Sequence, residues 1–345
     1  MNFASDNAGP AHPAIMQALV AANEGHAAAY GEDALMAQVR ARVRELFEAP
    51  EAAVYLVATG TAANSLLLAT LARPWETIFC ARTAHVQEDE ANAPEFFTGG
   101  AKLTLVDAPD GRMTPAALRR AIAAEEARGI HGPGRGPVSL TETSEKGSTH
   151  GPEGLRALTA VARDFGLPVH LDGARLANAL AHTGASPADL TWRAGVDAAS
   201  VGGTKDGCPG VEIVILFDPA RATEFEYRRK RAGHLFSKHR YLSAQALAWL
   251  EGGLWLDLAA RANAAAARLA AGLRARGLEL VYPVEGNLLF FRASRGLHRH
   301  LQGEGAQYYL WGGDLDGDPD ELLTARLVCD WSTDAAGVDR FLAHI

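Results

Sequence analysis

In Val169-His170-Leu171-Asp172-Gly173-Ala174-Arg175 an apolar run ends in an aspartate, a glycine follows, and the next residues read as the start of a helix. That is the pattern of a strand feeding a helix. An acidic side chain at the carboxyl end of such a strand points into the crevice where open parallel sheets bind ligands. Outward from this segment the same grammar repeats. Residues 137–140 and 168–171 read as strands around a helix over 154–165, and 198–201 and 211–217 as two further strands joined by a Gly-rich turn. Upstream, 54–58, 77–80 and 102–106 are strand-like, with helices over 62–71 and 115–128. The second of these helices has Thr114 as its N-cap and a proline at its first position. Helices over 13–22 and 34–47 come first; the second places Leu35, Val39, Val43 and Leu46 at helical spacing and stops before Pro50. This alternation predicts an α/β domain with a mostly parallel sheet. From Ser243 the texture changes to a long Ala- and Leu-rich helical region ending near Arg276. Strands over 278–282, 287–292 and 324–328 and a last helix follow, which predicts a smaller α+β domain. We expect the division at 1–245 and 246–345.

Bulk properties narrow the function. A length of 345 residues exceeds the usual single core, and 48% apolar with 21% charged residues is ordinary for a globular chain. A net charge of -8 argues against a nucleic-acid partner. Cys80, Cys208 and Cys329 are odd in number and far apart, so neither a disulfide framework nor a structural zinc site is expected. The start, M-N-F-A-S-D-N-A-G-P, lacks the features of a signal peptide, and no stretch is apolar enough to span a membrane. A cytoplasmic protein is the expectation.

Four motifs carry chemistry. Asp172 reads either as a helix N-cap or as a carboxylate paired with the pyridine nitrogen of pyridoxal 5′-phosphate (PLP), keeping it protonated so that the ring accepts electrons. Lys205, in Ala199-Ser200-Val201-Gly202-Gly203-Thr204-Lys205-Asp206-Gly207, would by itself be a surface lysine. It lies one strand-helix-strand unit after Asp172, however, which puts an amine and a carboxylate on neighbouring strand ends. A lysine in that crevice can lose its proton by desolvation and attack an aldehyde. Thr59-Gly60-Thr61-Ala62-Ala63-Asn64 is either a plain N-cap or a turn whose free N–H groups cradle a phosphate. His85, in Ala84-His85-Val86-Gln87-Glu88-Asp89-Glu90, is structural if alone, but beside the other three it supplies a ring to stack on a cofactor. No G-x-S-x-G elbow, P-loop or H-E-x-x-H is present, and His298 and His300 have no evident third ligand, so no metal is expected.

Taken in order, these motifs resemble the threonine aldolase family, beta-eliminating-lyase-like proteins of PLP fold type I, over nearly the whole length. The resemblance rests on S-D-N from Ser5, Y-G-E-D from Tyr30, T-G-T-A-A-N from Thr59, H-V-Q-E-D-E-A-N-A-P-E-F-F-T-G-G from His85, L-D-G-A-R from Leu171 and S-V-G-G-T-K-D-G from Ser200. It implies that Lys205 is the Schiff-base lysine, Asp172 the partner of the pyridine ring and His85 the residue stacked on it. Gly60 and Thr61, with Thr59 beside them, would bind the phosphate. Arg175, next to the cofactor, would clamp the substrate α-carboxylate together with Ser5 and Arg326. His85, or second to it Glu90, would be the base for the β-hydroxyl, and His131 the further histidine near that hydroxyl. A basic residue near Lys238 to Arg240 would reach the phosphate, and Tyr30 a neighbouring subunit's site, in a homodimer or homotetramer. Glu142 and Thr143 depart from the pattern, standing where relatives often carry an amide. The implied reaction is reversible cleavage of threonine, or of related β-hydroxy-α-amino acids including phenylserine-like ones, to glycine and an aldehyde. Other PLP chemistry on the same scaffold (β-elimination, racemisation, transamination) and a non-catalytic PLP-fold binding protein are the alternatives.

Overall fold

The computed structural model describes residues 1–125 and 129–345. Its larger sheet has seven strands: β1 (Ala53–Val57), β2 (Glu76–Ala81), β3 (Lys102–Val106), β4 (Gly134–Thr141), β5 (Val169–Gly173), β6 (Ala198–Gly202) and β7 (Glu212–Leu216), in the order β1-β7-β6-β5-β4-β2-β3. Strands β3, β2, β4, β5 and β6 run parallel, and β7 runs antiparallel to both of its neighbours. The central strands β5, β6 and β7 are buried along their whole length, as expected where helices cover both faces. Helices Pro13–Ala22, Ala34–Leu46, Gly60–Leu71 and Gly151–Asp164 stand within a few residues of where the periodicity puts them. The helix expected over 115–128 runs Pro115–Ala124, and 126–128 lie outside the described residues.

Two glycines draw the ends of β5 and β6 together. A Cβ on Gly173 would collide with the Ser200 carbonyl oxygen, and one on Gly202 with the backbone of Ala174. The register places Asp172 opposite Ser200. The strand ends that carry the expected carboxylate and lysine therefore approach as closely as backbones without side chains allow.

The second sheet is antiparallel and has the order β10-β11-β9-β8, formed by β8 (Glu279–Leu280), β9 (Leu288–Ser294), β10 (Tyr309–Leu310) and β11 (Leu322–Val328). It has its own core, in which Phe291, Leu327 and Phe341 pack with Phe3 from the other end of the chain. Phe3 is tied there by its N–H to the Gln307 carbonyl (2.8 Å) and its carbonyl to the Val328 N–H (2.9 Å). The long helical region is interrupted at Gly252 and Gly253, both left-handed, giving helices Arg240–Leu250 and Leu254–Ala275. Position 245 thus falls inside a helix. Helix Leu254–Ala275 serves both cores: Trp255 and Leu258 pack into the larger, Leu269 and Leu273 into the smaller. The three cysteines are buried and free, and among the described residues no helix is long and apolar enough to cross a membrane.

Because the methyl group of alanine at position 202 would push on backbone rather than on a movable side chain, Gly202→Ala should cost about 1–3 kcal/mol or more of stability. Urea unfolding read by circular dichroism measures this. An unchanged midpoint would mean that the close approach of β5 and β6 is not a constraint.

Candidate active site

At the carboxyl ends of the parallel strands lies a cavity of about 380 Å³ lined by Thr59, Gly60, Thr61, Asn64, His85, Glu90, Asp172, Lys205 and Glu212, among others. Five strand ends or the turns that follow them thus contribute to one space.

Asp172 is buried, and both of its oxygens are engaged. Oδ1 accepts from the Ala174 N–H (3.0 Å), a turn contact rather than a helix cap, since the next helix starts at Leu176, and Oδ2 accepts from the Asn64 amide (3.0 Å). The same Asn64 amide donates to Glu90 Oε1 (3.1 Å), and Asn64 Oδ1 accepts from the Ser200 hydroxyl (2.9 Å). Glu90 in turn lies 2.8 Å from His85 Nδ1. A continuous buried network therefore runs from β6 through the helix Gly60–Leu71 to β5 and on to the imidazole. The hydrogen bond to Glu90 raises the His85 pKa; burial opposes this, and Asp172 adds to it. Glu90 Oε2 is buried without a partner.

The helix Gly60–Leu71 begins at the rim. Thr59 caps it by accepting from the Ala62 N–H (3.2 Å), leaving the first-turn N–H groups of Gly60 and Thr61 facing the cavity as an anion site. A Cβ on Gly60 would meet nothing within 4 Å, so there is room for a group to approach that backbone. Lys205 sits on the short turn Thr204–Asp206 directly after β6. An amine, a buried carboxylate, an imidazole and free N–H groups at a helix start are the donor set that a phosphorylated pyridine aldehyde requires, and the residues present fit it.

Arg175 begins the helix that follows β5 and is buried against Asp6: Nε donates to Oδ2 (2.7 Å) and Nη2 to Oδ1 (3.1 Å). Burial alone would push the Asp6 carboxyl up, but Arg175 and Lys205 pull it below the usual range. Asn287 supports the pair from just before β9, its amide 3.0 Å from Asp6 Oδ2. Nη1 of Arg175 has no hydrogen bond and stands 3.8 Å from Glu145 Oε1. Arg326, on β11, lies over the rings of Tyr309 and Trp311, with its buried Nε also unpartnered. Burial, and then the neighbouring charge of Arg175, lowers the Arg326 pKa. Two guanidiniums from different sheets therefore face one region with donors to spare. Ser5 is adjacent in sequence to Asp6, but its hydroxyl accepts from the Asn7 N–H (3.1 Å).

Several expected residues stand elsewhere. His131 is exposed in the turn Gly129–His131 before β4, at the amino end of the strands, and so on the opposite side of the sheet's edge from the cavity. Strand polarity excludes it from the site in this chain. Arg240 donates to the carbonyls of Glu24 (3.3 Å) and Gly25 (2.9 Å), and Lys238 is exposed; neither lines the cavity. Tyr30 is half exposed with a left-handed backbone, and the Lys230 ammonium lies over its ring. Glu142 is fully buried and caps the helix Gly151–Asp164, accepting from the N–H groups of His150 (3.2 Å) and Gly151 (3.0 Å); burial pushes its carboxyl up to about 8. His298 is structural, bonded to Tyr308 and the Leu323 carbonyl. His300, in contrast to the sequence reading, does meet further ligand types: its ring, Glu304 and His344 bring ligand atoms within 4.8 Å of one another on the surface of the smaller unit. Sequence reasoning missed Asp6, Asn64, Glu145 and Glu212. Glu212 had a signal, since it is a charged residue in an otherwise apolar strand.

A family model for beta-eliminating lyases matches residues 2–295. The chain belongs to the beta-eliminating lyase family. This lyase is 40% identical to the low specificity L-threonine aldolase of Pseudomonas sp. (strain NCIMB 10558), over 99% of this chain and 96% of that one. It is also 40% identical to the low specificity L-threonine aldolase of Pseudomonas aeruginosa, over 96% and 93%. Its structure superposes on that of Leishmania major threonine aldolase with a TM-score of 0.92 at 28% identity, covering 99% of this chain and 97% of the other. The architecture is the fold type I arrangement.

The His85–Glu90 bond fixes the sign of a titration. A raised pKa means that protonated His85 is favoured in the folded lyase, so its contribution to stability is full below 6.5 and is lost as pH rises through the raised value. Nuclear magnetic resonance of the His85 ring should give a midpoint above 6.5, and Glu90→Gln should lower it. A midpoint that Glu90→Gln leaves unmoved would remove Glu90 as the partner of the imidazole.

Proposed function

We propose that this chain binds PLP through Lys205 and cleaves L-threonine and related β-hydroxy-α-amino acids to glycine and an aldehyde. The observation that carries this reading is the single cavity to which Lys205, Asp172, His85 and the free N–H groups of Gly60 and Thr61 contribute. Bound there, the cofactor supplies a ring that takes up the electron pair of a bond breaking at Cα.

The protein's own groups do the rest. Lys205 would hold the cofactor covalently through its amine. Asp172, fixed by Asn64 and Ala174, keeps a negative charge beside the ring nitrogen and so holds a proton on it. Gly60 and Thr61 hold the phosphate. Arg175 Nη1 and Arg326 Nε, both without partners, take the substrate carboxylate, with Ser5 beside them. Their grip would fix the rotation of the substrate about its Cα–N bond. His85, oriented through Nδ1 by Glu90, accepts the β-hydroxyl proton. The oxygen then becomes a carbonyl as Cα–Cβ breaks, and reprotonation at Cα gives glycine. Glu90 acts through His85 as a positioning residue.

Assembly and location belong to the same reading. Tyr30, exposed and away from its own chain's cavity, would complete the site of a partner in a homodimer or homotetramer. Free buried cysteines suit the reducing cytoplasm.

Incubating the protein with threonine and with phenylserine tests the reaction. Aldol cleavage gives glycine plus acetaldehyde or benzaldehyde; a 2-oxo acid and ammonia would instead assign β-elimination. In the same assay Arg326→Ala should keep the visible cofactor band but lose on the order of 30- to 1000-fold in kcat/KM, the effect of losing a charge-assisted carboxylate contact. An unchanged affinity for glycine in a spectral titration would take Arg326 out of the site.

A further inference from the structure

Glu212 has no part in the scheme above, yet it lines the same cavity as Lys205. It is the first residue of β7, paired with Gly202 on one side and Val57 on the other. It therefore lies between the strand that leads to Lys205 and the strand that leads to the phosphate turn. It is 5% exposed. A glutamate in an all-buried strand needs a reason, because an unpaired charge there is costly.

Several of the charged groups around Lys205 are committed to partners of their own. Asp6, which faces Lys205, is held by Arg175 and Asn287. Asp172 is held by Asn64 and the Ala174 N–H. His85 is held by Glu90. Lys205, on the same cavity wall, draws the Glu212 pKa down, and Asp172 draws it up. Cys208, close behind, is buried and held in its thiol form. Burial pushes the Glu212 carboxyl up to about 7, so both of its protonation states are within reach near neutrality.

Resting on the proposal that Lys205 carries the cofactor, we propose that Glu212 is the proton acceptor for Lys205, taking a proton from the Nζ ammonium so that the amine can form its bond. One N–H bond breaks at Nζ and one O–H bond forms on the Glu212 carboxylate. An ammonium and a carboxylate become an amine and a carboxylic acid, with no electrons gained or lost. Condensation of that amine with an aldehyde expels one water, made from the carbonyl oxygen and the two remaining amine protons. When the lysine is displaced, the proton can return from Glu212.

Glu212→Gln keeps the volume and the polar character of the side chain, but it cannot take a proton. The test follows covalent attachment of added pyridoxal phosphate to the full-length protein stripped of cofactor, by the rise of the visible band, from pH 6 to 10. The variant should attach at least ~10-fold more slowly than wild type near pH 7, the lower edge of what a positioned acid–base group contributes. The deficit should shrink as pH approaches the range near about 10 where amines lose protons unaided. Glu212→Asp should recover part of the rate. Equal rates at every pH, or a slowing by the same factor at every pH, would overturn the proposal, since a purely structural role gives no pH dependence. If the wild-type protein never develops the band, the assignment of the cofactor fails first and takes this proposal with it.

Discussion

The Asn64 side chain, wedged between Asp172, Glu90 and Ser200, is the contact on which the site depends. Its amide has two hydrogens and serves two carboxylates; its carbonyl takes the one hydroxyl within reach. In a buried setting each of these bonds is stronger than in water, and each would leave a costly orphan if broken. The consequence is geometric. Strands β5 and β6, the helix after β1 and the short helix that starts at His85 are locked to one another at the carboxyl edge of the sheet. Gly173 and Gly202 allow the strand ends to come close enough for that lock to form.

A second lock joins the two sheets. Asp6 comes from the N-terminal segment, which packs with the smaller core through Phe3, and it grips Arg175 at the start of the helix after β5. Asn287, just ahead of β9, braces it. The Asp6–Arg175 pair is buried, so removing either partner strands a charge and costs about 3–5 kcal/mol in typical cases. It also uses up two of the three nitrogens of Arg175 and leaves Nη1 directed elsewhere. Arg326 reaches the same region from β11. A substrate carboxylate bound between them would close a contact between the larger and the smaller sheet.

Much of this was legible in the sequence, and the reasons are specific. Asp172 lies at the end of an apolar strand and Lys205 just after one, so strand polarity alone directs both to one crevice. Most strands of the larger sheet are separated by helices, and β6 and β7 by a Gly-rich turn, as the sequence pattern indicates. Contacts between residues remote along the chain were not legible. Asp6 and Arg175 are 169 positions apart, and no local pattern links them. His131 stands in the turn before β4 and does not line the cavity of its own chain. Glu142 lay near the right strand end, but its backbone partners make it a helix cap. The strand expected over 278–282 shrinks to Glu279–Leu280, which pair with Arg292 and Phe291 of β9.

The central claim is that the amine beside Asp172 is the one that carries the cofactor. Reducing the PLP-loaded protein with borohydride, digesting it and mapping the labelled lysine by mass spectrometry tests this most directly. The account predicts a pyridoxyl group on Lys205 alone. A label on Lys146, Lys230 or any other lysine, with Lys205 unmodified, would contradict it.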